Sequence, residues 1–304
     1  MRFLFFTFIL SMTVACTTKQ NTSDENSSEA KKTDLFLASD FTEPGEFTSG
    51  IEGPAFHSDG MLYLVSFGAD GTIGKVDQEG NASLFVNLPE GSTGNGIRFH
   101  SDGSMLIADY TGHNVLRIDM ETKEISIYAH NENMNQPNDL AISSSNILFL
   151  SDPDWTNNTG NLWKVDLGGN IILLEENMGT TNGVEVSPDD NVLYVNESVQ
   201  RKIWVYDLSP EGNISNKRLF YEFEDFGLDG MRCDKKGNLY VTRHGKGNVV
   251  ILSPEGKLLN EVLMTGSKPS NIAFGSKDGK TCFITLQDRG CVETFETNIA
   301  GREW

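Results

Sequence analysis

NGIRFHSDGSMLIADY, residues 95–110, recurs along the chain in five other spellings. They are EGPAFHSDGMLYLVSF from Glu52, NDLAISSSNILFLSDP from Asn138, NGVEVSPDDNVLYVNE from Asn182, DGMRCDKKGNLYVTRH from Asp229 and NIAFGSKDGKTCFITL from Asn271, with first residues spaced by 43, 43, 44, 47 and 42. In each copy a short alternating run leads through a turn such as SDG, SPDD or KKGN into a β-branched and aromatic run such as MLYLVSF or NLYVTR. A third run (NLWKVDL, KIWVYDL), another turn (QEGN, GGN) and a fourth run (SLFV, IILLE) complete the unit. Four strands in every 42 to 47 residues, with no helical stretch between them, is the period of a β-propeller blade. Six repeats therefore predict an all-β, six-bladed propeller in one domain. A solenoid is the alternative, but it would leave two exposed end faces and need caps that the sequence does not supply.

The ends carry the closure. The sixth copy has runs at 271–275, 281–286 and 291–296 and then TNIAGREW, which does not read as a strand, so the last blade lacks one. DLFLASDF, residues 34–41, precedes the first copy and belongs to no unit. It is predicted to complete the last blade, closing the ring and removing the open edge.

Upstream of it, Met1-Arg2 is followed by FLFFTFILSMTVA, thirteen uncharged residues, too short for a membrane span and suited to a signal-peptide core. The residues TVAC resemble a bacterial lipobox, with Thr13 where Leu is usual, which makes residues 1–15 a signal and Cys16 a lipidated first residue. Residues 16–33 are polar and read as a flexible tether to a propeller over 34–304. The expected product is an exported lipoprotein of the cell envelope, monomeric and on the membrane through its lipid anchor alone. Three cysteines remain, Cys233, Cys282 and Cys291. A turn centred on Asp288-Arg289 pairs Leu286 with Cys291 and Cys282 with Phe295, so the last two do not face each other, and all three are expected as free, buried thiols.

With 43 Asp+Glu against 24 Lys+Arg the net charge is −19, and no basic cluster exceeds Lys31-Lys32 or Arg201-Lys202. That excludes a nucleic-acid binder, and the acidity needs no reading beyond solubility. In a propeller the loops entering each innermost strand share one face with the loops joining the second strand to the third. The residues that open the copies, Glu52, Asn95, Asn138, Asn182, Asp229 and Asn271, therefore converge at one mouth. Two carboxylates and four carboxamides without a neutralising Lys or Arg suit Ca2+ or another divalent cation. Turn chemistry is the competing explanation for Asn and Asp at these positions, but it does not account for Glu52. The loops after the second strands bring Asp109-Tyr110, Asp152 to Trp155, Asn196-Glu197, Arg243-His244 and Gln287 to the same face. His244 is a candidate proton relay or a hydrogen-bonded packing residue, and Trp155 either covers an apolar ligand or packs between blades.

The lines EGPAF, PNDLAI with FLSDP, TNGVEVSPDDNVLYV, LDGMRCDKKGNLYVTRHGKG and PSNIAFGSKDGKTCFIT closely resemble the senescence marker protein, gluconolactonase and luciferin-regenerating-enzyme-like family, from about Gly50 onward. The resemblance implies a six-bladed propeller that holds a divalent cation, commonly Ca2+, and hydrolyses lactones; related propellers cleave organophosphates. It places the metal ligands on Glu52, Asn138, Asn182 and Asp229, with Asp229 the usual candidate for general base. Asn95 and Asn271 then fall to the channel wall, to meet substrate or a metal-bound water, and Asp139 beside Asn138 is a second carboxylate that either serves as base or orients the ligands. Sugar-lactone hydrolases of the family carry an Arg two residues before the motif's Asn; here Gln136 stands there, which offers no cationic fork. The expectation is a metal-dependent hydrolase of a lactone, sugar lactone or related ester. The alternatives are a phosphotriesterase-like hydrolase and a non-catalytic surface propeller that binds a ligand.

Overall fold

The computed structural model describes residues 34–304 together with Met1, Phe3, Leu4 and Thr7. Cys16, the rest of the lipobox, the tether and most of the signal segment lie outside the described residues.

Residues 34–304 form one compact unit of six four-stranded antiparallel sheets. Blade 1 is β2 (Ala55–Phe56), β3 (Leu62–Val65), β4 (Thr72–Val76) and β5 (Ala82–Asn87), and blade 2 is β6 (Gly94–Phe99), β7 (Met105–Asp109), β8 (Asn114–Ile118) and β9 (Ile125–His130). Blade 3 is β10 (Leu140–Ile142), β11 (Leu148–Asp154), β12 (Thr159–Val165) and β13 (Ile171–Met178), and blade 4 is β14 (Thr181–Val186), β15 (Val192–Glu197), β16 (Lys202–Leu208) and β17 (Ile214–Glu222). Blade 5 is β18 (Met231–Cys233), β19 (Leu239–Arg243), β20 (Asn248–Leu252) and β21 (Leu258–Leu263). Blade 6 is β22 (Pro269–Gly275), β23 (Thr281–Leu286) and β24 (Cys291–Glu296), with β1 (Ser39–Asp40) as its outer strand. No helix occurs among the described residues.

The core is six layers, one between each pair of neighbouring blades. Successive side chains of a strand point to opposite faces, so every inner strand feeds two layers. In β7, Met105 and Ile107 pack with Tyr63, Val65 and Ile73 of blade 1, whereas Leu106 and Ala108 pack with Leu140 and Leu148 of blade 3. Each fully buried Ile or Leu contributes about 1.5–3 kcal/mol, which is why a continuous β-branched run survives on strands that never meet water.

The ring closes as the sequence predicts, but through fewer residues. Ser39 and Asp40 pair with Thr294 and Glu293, while Leu35 touches Glu296 in a lone parallel bridge. Phe36 at φ 61° turns the chain between them, so 34–41 is a hook rather than one eight-residue strand. Arg289 grips both carboxylate oxygens of Asp40 and also meets Glu293, locking the hook to β24. Leu286 pairs with Cys291 and Cys282 with Phe295, and Cys233, Cys282 and Cys291 are free and buried.

Candidate active site at the channel mouth

A backbone irregularity aims the opening residues into the channel. The pairing of first and second strands slips by one residue between Gly94 and Ile97, between Thr181 and Val184, and between Pro269 and Asn271. The extra residue is Asn95 in blade 2, Asn182 in blade 4 and Ser270 in blade 6. Blades 3 and 5 share the arrangement: Ser151 answers both Asn138 and Asp139, and Thr242 both Asp229 and Gly230. Such bulges are a standard means of re-aiming a side chain beside a site.

This register corrects the sixth copy. Ser270, not Asn271, is the equivalent of Asn95 and Asn182, which shortens the spacing from Asp229 by one residue, to 41 from 42. Asn271 occupies the position held by Gly53, Gly96, Asp139, Gly183 and Gly230. The glycines are needed there because the next blade comes close: a Cβ on Gly53 would lie 2.0 Å from the Asn95 carbonyl oxygen, and one on Gly230 2.0 Å from Asn271 Oδ1. Asn271 is therefore not a free wall residue awaiting substrate. Its Oδ1 accepts the Ile272 N–H at 2.9 Å, and its Nδ2 donates to Glu52 Oε2 at 2.9 Å.

Glu52 is 7% exposed, and the same Oε2 also accepts the Gly53 N–H at 2.7 Å. Burial, with a smaller push from the Asp139 charge, lifts its carboxyl to about 7. Asp229 is half-buried on its own loop, and its carboxyl is pushed well above the usual range by desolvation and then by the negative charge of Glu52; a hydrogen bond from Asn182 pulls the other way. Neither carboxylate has a Lys or Arg partner among the described residues. Around them the buried oxygens Asn95 Oδ1, Asn182 Oδ1 and Asn196 Oδ1 have no hydrogen-bond partner among the described residues, and Asn138 is buried in the same ring. Asn196, at the end of the second strand of blade 4, which the sequence places on this face without a role, enters the ring itself. Its Nδ2 holds the Asp229 carbonyl at 2.6 Å.

The remaining candidates separate. Asp139 turns away from the mouth: its carboxylate accepts the Leu140 N–H at 2.9 Å and lies 3.5 Å from Arg98 and 3.6 Å from Arg232. An ion-paired carboxylate facing two guanidiniums is not placed to take a proton from water at the mouth. Arg98, Glu185 and Arg232 form a buried charged layer behind the ring, and the third residue after the opening position, Arg, Glu and Arg in copies two, four and five, was the sequence signal for it. Asp152 is a clamp: it accepts the Asn135 and Gln136 N–H groups at 2.8 and 2.6 Å and the Trp163 indole N–H at 2.9 Å, leaving no oxygen for substrate. It thereby fixes Gln136, whose Oε1 accepts the Tyr110 hydroxyl at 2.8 Å. His244 is half-buried, with Nε2 3.1 Å from Gln287 Oε1, and burial lowers its pKa and favours the neutral ring. Trp155 is 39% exposed. A cavity of about 1230 Å³ opens on the opposite face, at Ser58, Gly60, Ser101 and Trp304, but Glu52, Asn182 and Asp229 do not line it.

Fold and site together define a six-bladed propeller with an oxygen-lined channel mouth. Residues 51–288 match the SMP-30/Gluconolactonase/LRE-like region, and the chain belongs to that family. It is 29% identical over 270 residues to a gluconolactonase of Zymomonas mobilis, covering 77% of this chain and 75% of that one. It is 25% identical over 295 residues to the diisopropyl-fluorophosphatase of Loligo vulgaris, covering 86% and 94%. The crystal structure of a calcium-binding protein, regucalcin, from Agrobacterium tumefaciens shares the fold at a TM-score of 0.74 and 20% identity, over 88% of this chain and 94% of that one.

Proposed function

We propose that this propeller hydrolyses a lactone or related ester, with a divalent cation, Ca2+ in the first instance, held by Glu52, Asn138, Asn182 and Asp229. The observation that carries the reading is the buried Glu52 carboxylate and the half-buried Asp229 carboxylate, neither with a cationic partner among the described residues, beside the orphaned Oδ1 of Asn182. Two like charges and an unpaired acceptor out of water are costly, and a hard cation with oxygen ligands would satisfy all three together. The names of the relatives support it: a gluconolactonase in the sequence comparison and a calcium-binding protein among the structures of the same fold.

When bound, the cation supplies Lewis-acid polarisation of the carbonyl oxygen. The chain's own residues do the rest. Asp229, a carboxylate of the ring without a Lys or Arg partner among the described residues, takes the proton of the attacking water at a carboxylate oxygen and passes it to the lactone ring oxygen as the acyl C–O bond breaks. Asn271 and the Gly53 N–H fix the Glu52 carboxylate. Gln136, its carbonyl oxygen engaged by Tyr110, offers N–H donors to a substrate oxygen. Neutral His244, braced by Gln287, relays a proton to solvent, and Trp155 covers the ring of the substrate. The test is a panel of aldonolactones, aryl lactones, aryl esters and a phosphotriester, assayed with EDTA and with Ca2+. Cation-dependent turnover of a lactone supports the reading, and cation binding without turnover of any of them makes the protein a non-catalytic binder.

A second reading, phosphotriester hydrolysis, is favoured by one observation. The similarity to the squid diisopropyl-fluorophosphatase spans 94% of that enzyme. The same cation can polarise a phosphoryl oxygen, so the phosphotriester in the panel decides between them. We also place the protein in the cell envelope, anchored by lipid on Cys16. Cys16→Ser should move it from the membrane to the soluble fraction, and unchanged membrane retention would refute the anchor.

A further inference from the structure

The channel has a second end, on the face away from Glu52 and Asp229, and there the segment that follows β24 crosses it. Gly301 forms a bridge with Asp234 of blade 5, flanked by Lys235 N–H to Ala300 O at 2.9 Å and Arg302 N–H to Cys233 O at 3.1 Å. Gly301 N–H also reaches Gly279 O of blade 6 at 2.9 Å. The Arg302 guanidinium enters the channel, where it pairs with Glu185 of blade 4 at 2.5 Å and donates to the Ile142 carbonyl of blade 3. The Trp304 ring lies tilted at 45° to that of Phe56 of blade 1, 6.0 Å away, in space that a Cβ on Gly279 would fill, the Trp304 Cγ lying 2.3 Å from it. One eight-residue segment thus touches five of the six blades. Behind Arg302 runs the charged layer of Glu185, Arg98, Arg232 and Asp139, and a void of about 20 Å³, room for one water, lies between segment and channel wall.

We propose that residues 297–304 are a plug: they seal the far end of the channel, with Arg302 as the anchor and Trp304 as the cover, so that the carboxylate site communicates with solvent through one mouth. The plug does not depend on the reading of the site as a lactonase. Buried charge is what makes the anchor specific, because Glu185 is fully buried and Arg302 approaches it more closely than Arg98 at 3.8 Å or Arg232 at 4.0 Å. The outer surface of the plug floors the cavity on that face, which Arg302 and Trp304 both line. Solvent in that cavity is therefore cut off from the channel.

Cys233 is a built-in reporter: it is 1% exposed, packs with Leu239 and Leu252 between blades 4 and 5, and also lines the small void beneath Arg302 and Trp304, whereas Cys282 and Cys291 pack within blade 6 and do not line that void. The test alkylates folded protein with iodoacetamide and reads each cysteine by peptide mass spectrometry. In the full chain all three should be protected. Truncation after Ala300 should raise the rate at Cys233 more than tenfold and leave Cys282 and Cys291 unchanged, and Arg302→Lys should keep Cys233 protected. Should the truncated chain fail to fold, Trp304→Ala, which keeps the anchor, should raise the Cys233 rate alone by a smaller factor. Cys233 remaining as protected as in the full chain, or all three cysteines reacting together, would overturn the plug.

Discussion

The Asn271 side-chain amide donates to the Glu52 carboxylate at 2.9 Å, joining blade 6 to blade 1 inside the channel. The contact spans 219 positions of sequence, so the site exists only in the closed ring. Because Asn271 Oδ1 is tied to the Ile272 N–H, the amide cannot flip, and its N–H is held toward Glu52. Partners of this kind set ligand orientation, and their loss costs about 10–100-fold in metal affinity or activity. Asn271→Leu is expected to weaken Ca2+ binding by about that factor while the fold persists, as checked by calorimetric titration and circular dichroism.

Ring closure should depend unequally on its two acids. Asp40 is largely exposed, so Asp40→Asn should cost under about 1 kcal/mol. Arg289 also serves the fully buried Glu293, and Arg289→Met, which removes that carboxylate's cation and leaves it the Thr265 N–H and hydroxyl, should cost about 3 kcal/mol. Urea melts of the two variants give the comparison; equal losses would mean that the hook, not the buried acid, carries the closure.

The pH dependence follows from Glu52. Its carboxyl, at 4.5 when unfolded, rises to about 7 in the fold, so the native state keeps a proton that the unfolded chain has released. That contribution is fully present below pH 4.5 and is lost as the pH climbs through 7, on the order of 3 kcal/mol in all. In EDTA the melting temperature should therefore fall between pH 5 and 7.5. Added Ca2+ should restore more stability at the upper end, since it needs the ionised carboxylates. Scanning calorimetry of wild type and Glu52→Gln reads this, and the variant should show the smaller slope.

Asp229→Asn separates chemistry from stability. Removing one of two like charges should raise the melting temperature of the cation-free protein, by about 1 kcal/mol of stability, while lactone turnover disappears. A variant that is inactive because it is unfolded would instead melt lower.

Much of this fold is legible in the sequence. The repeat gave the six blades because each copy must bury both faces of its inner strands, a demand that writes itself as β-branched runs at fixed spacing. The Leu286 and Cys291 pairing could be counted from the turn at Asp288-Arg289. Ser270 was hidden because a bulge adds a residue without changing composition, and Asn271 made a better match to the other openings than Ser does. Asp152 read as a rim acid, yet what decides its role is the Trp163 indole and two backbone N–H groups that sequence distance conceals. The Arg98, Glu185 and Arg232 layer was written as charges on an inner strand, and only their convergence in space explains why they are tolerated there.

The most direct measurement is lactone turnover by EDTA-stripped protein on stepwise return of Ca2+, for wild type and Asp229→Asn side by side. The account predicts no turnover in the stripped wild type, recovery as Ca2+ saturates the site, and none at any Ca2+ concentration in the variant. Undiminished turnover by stripped protein, or lactone hydrolysis by Asp229→Asn, would contradict it.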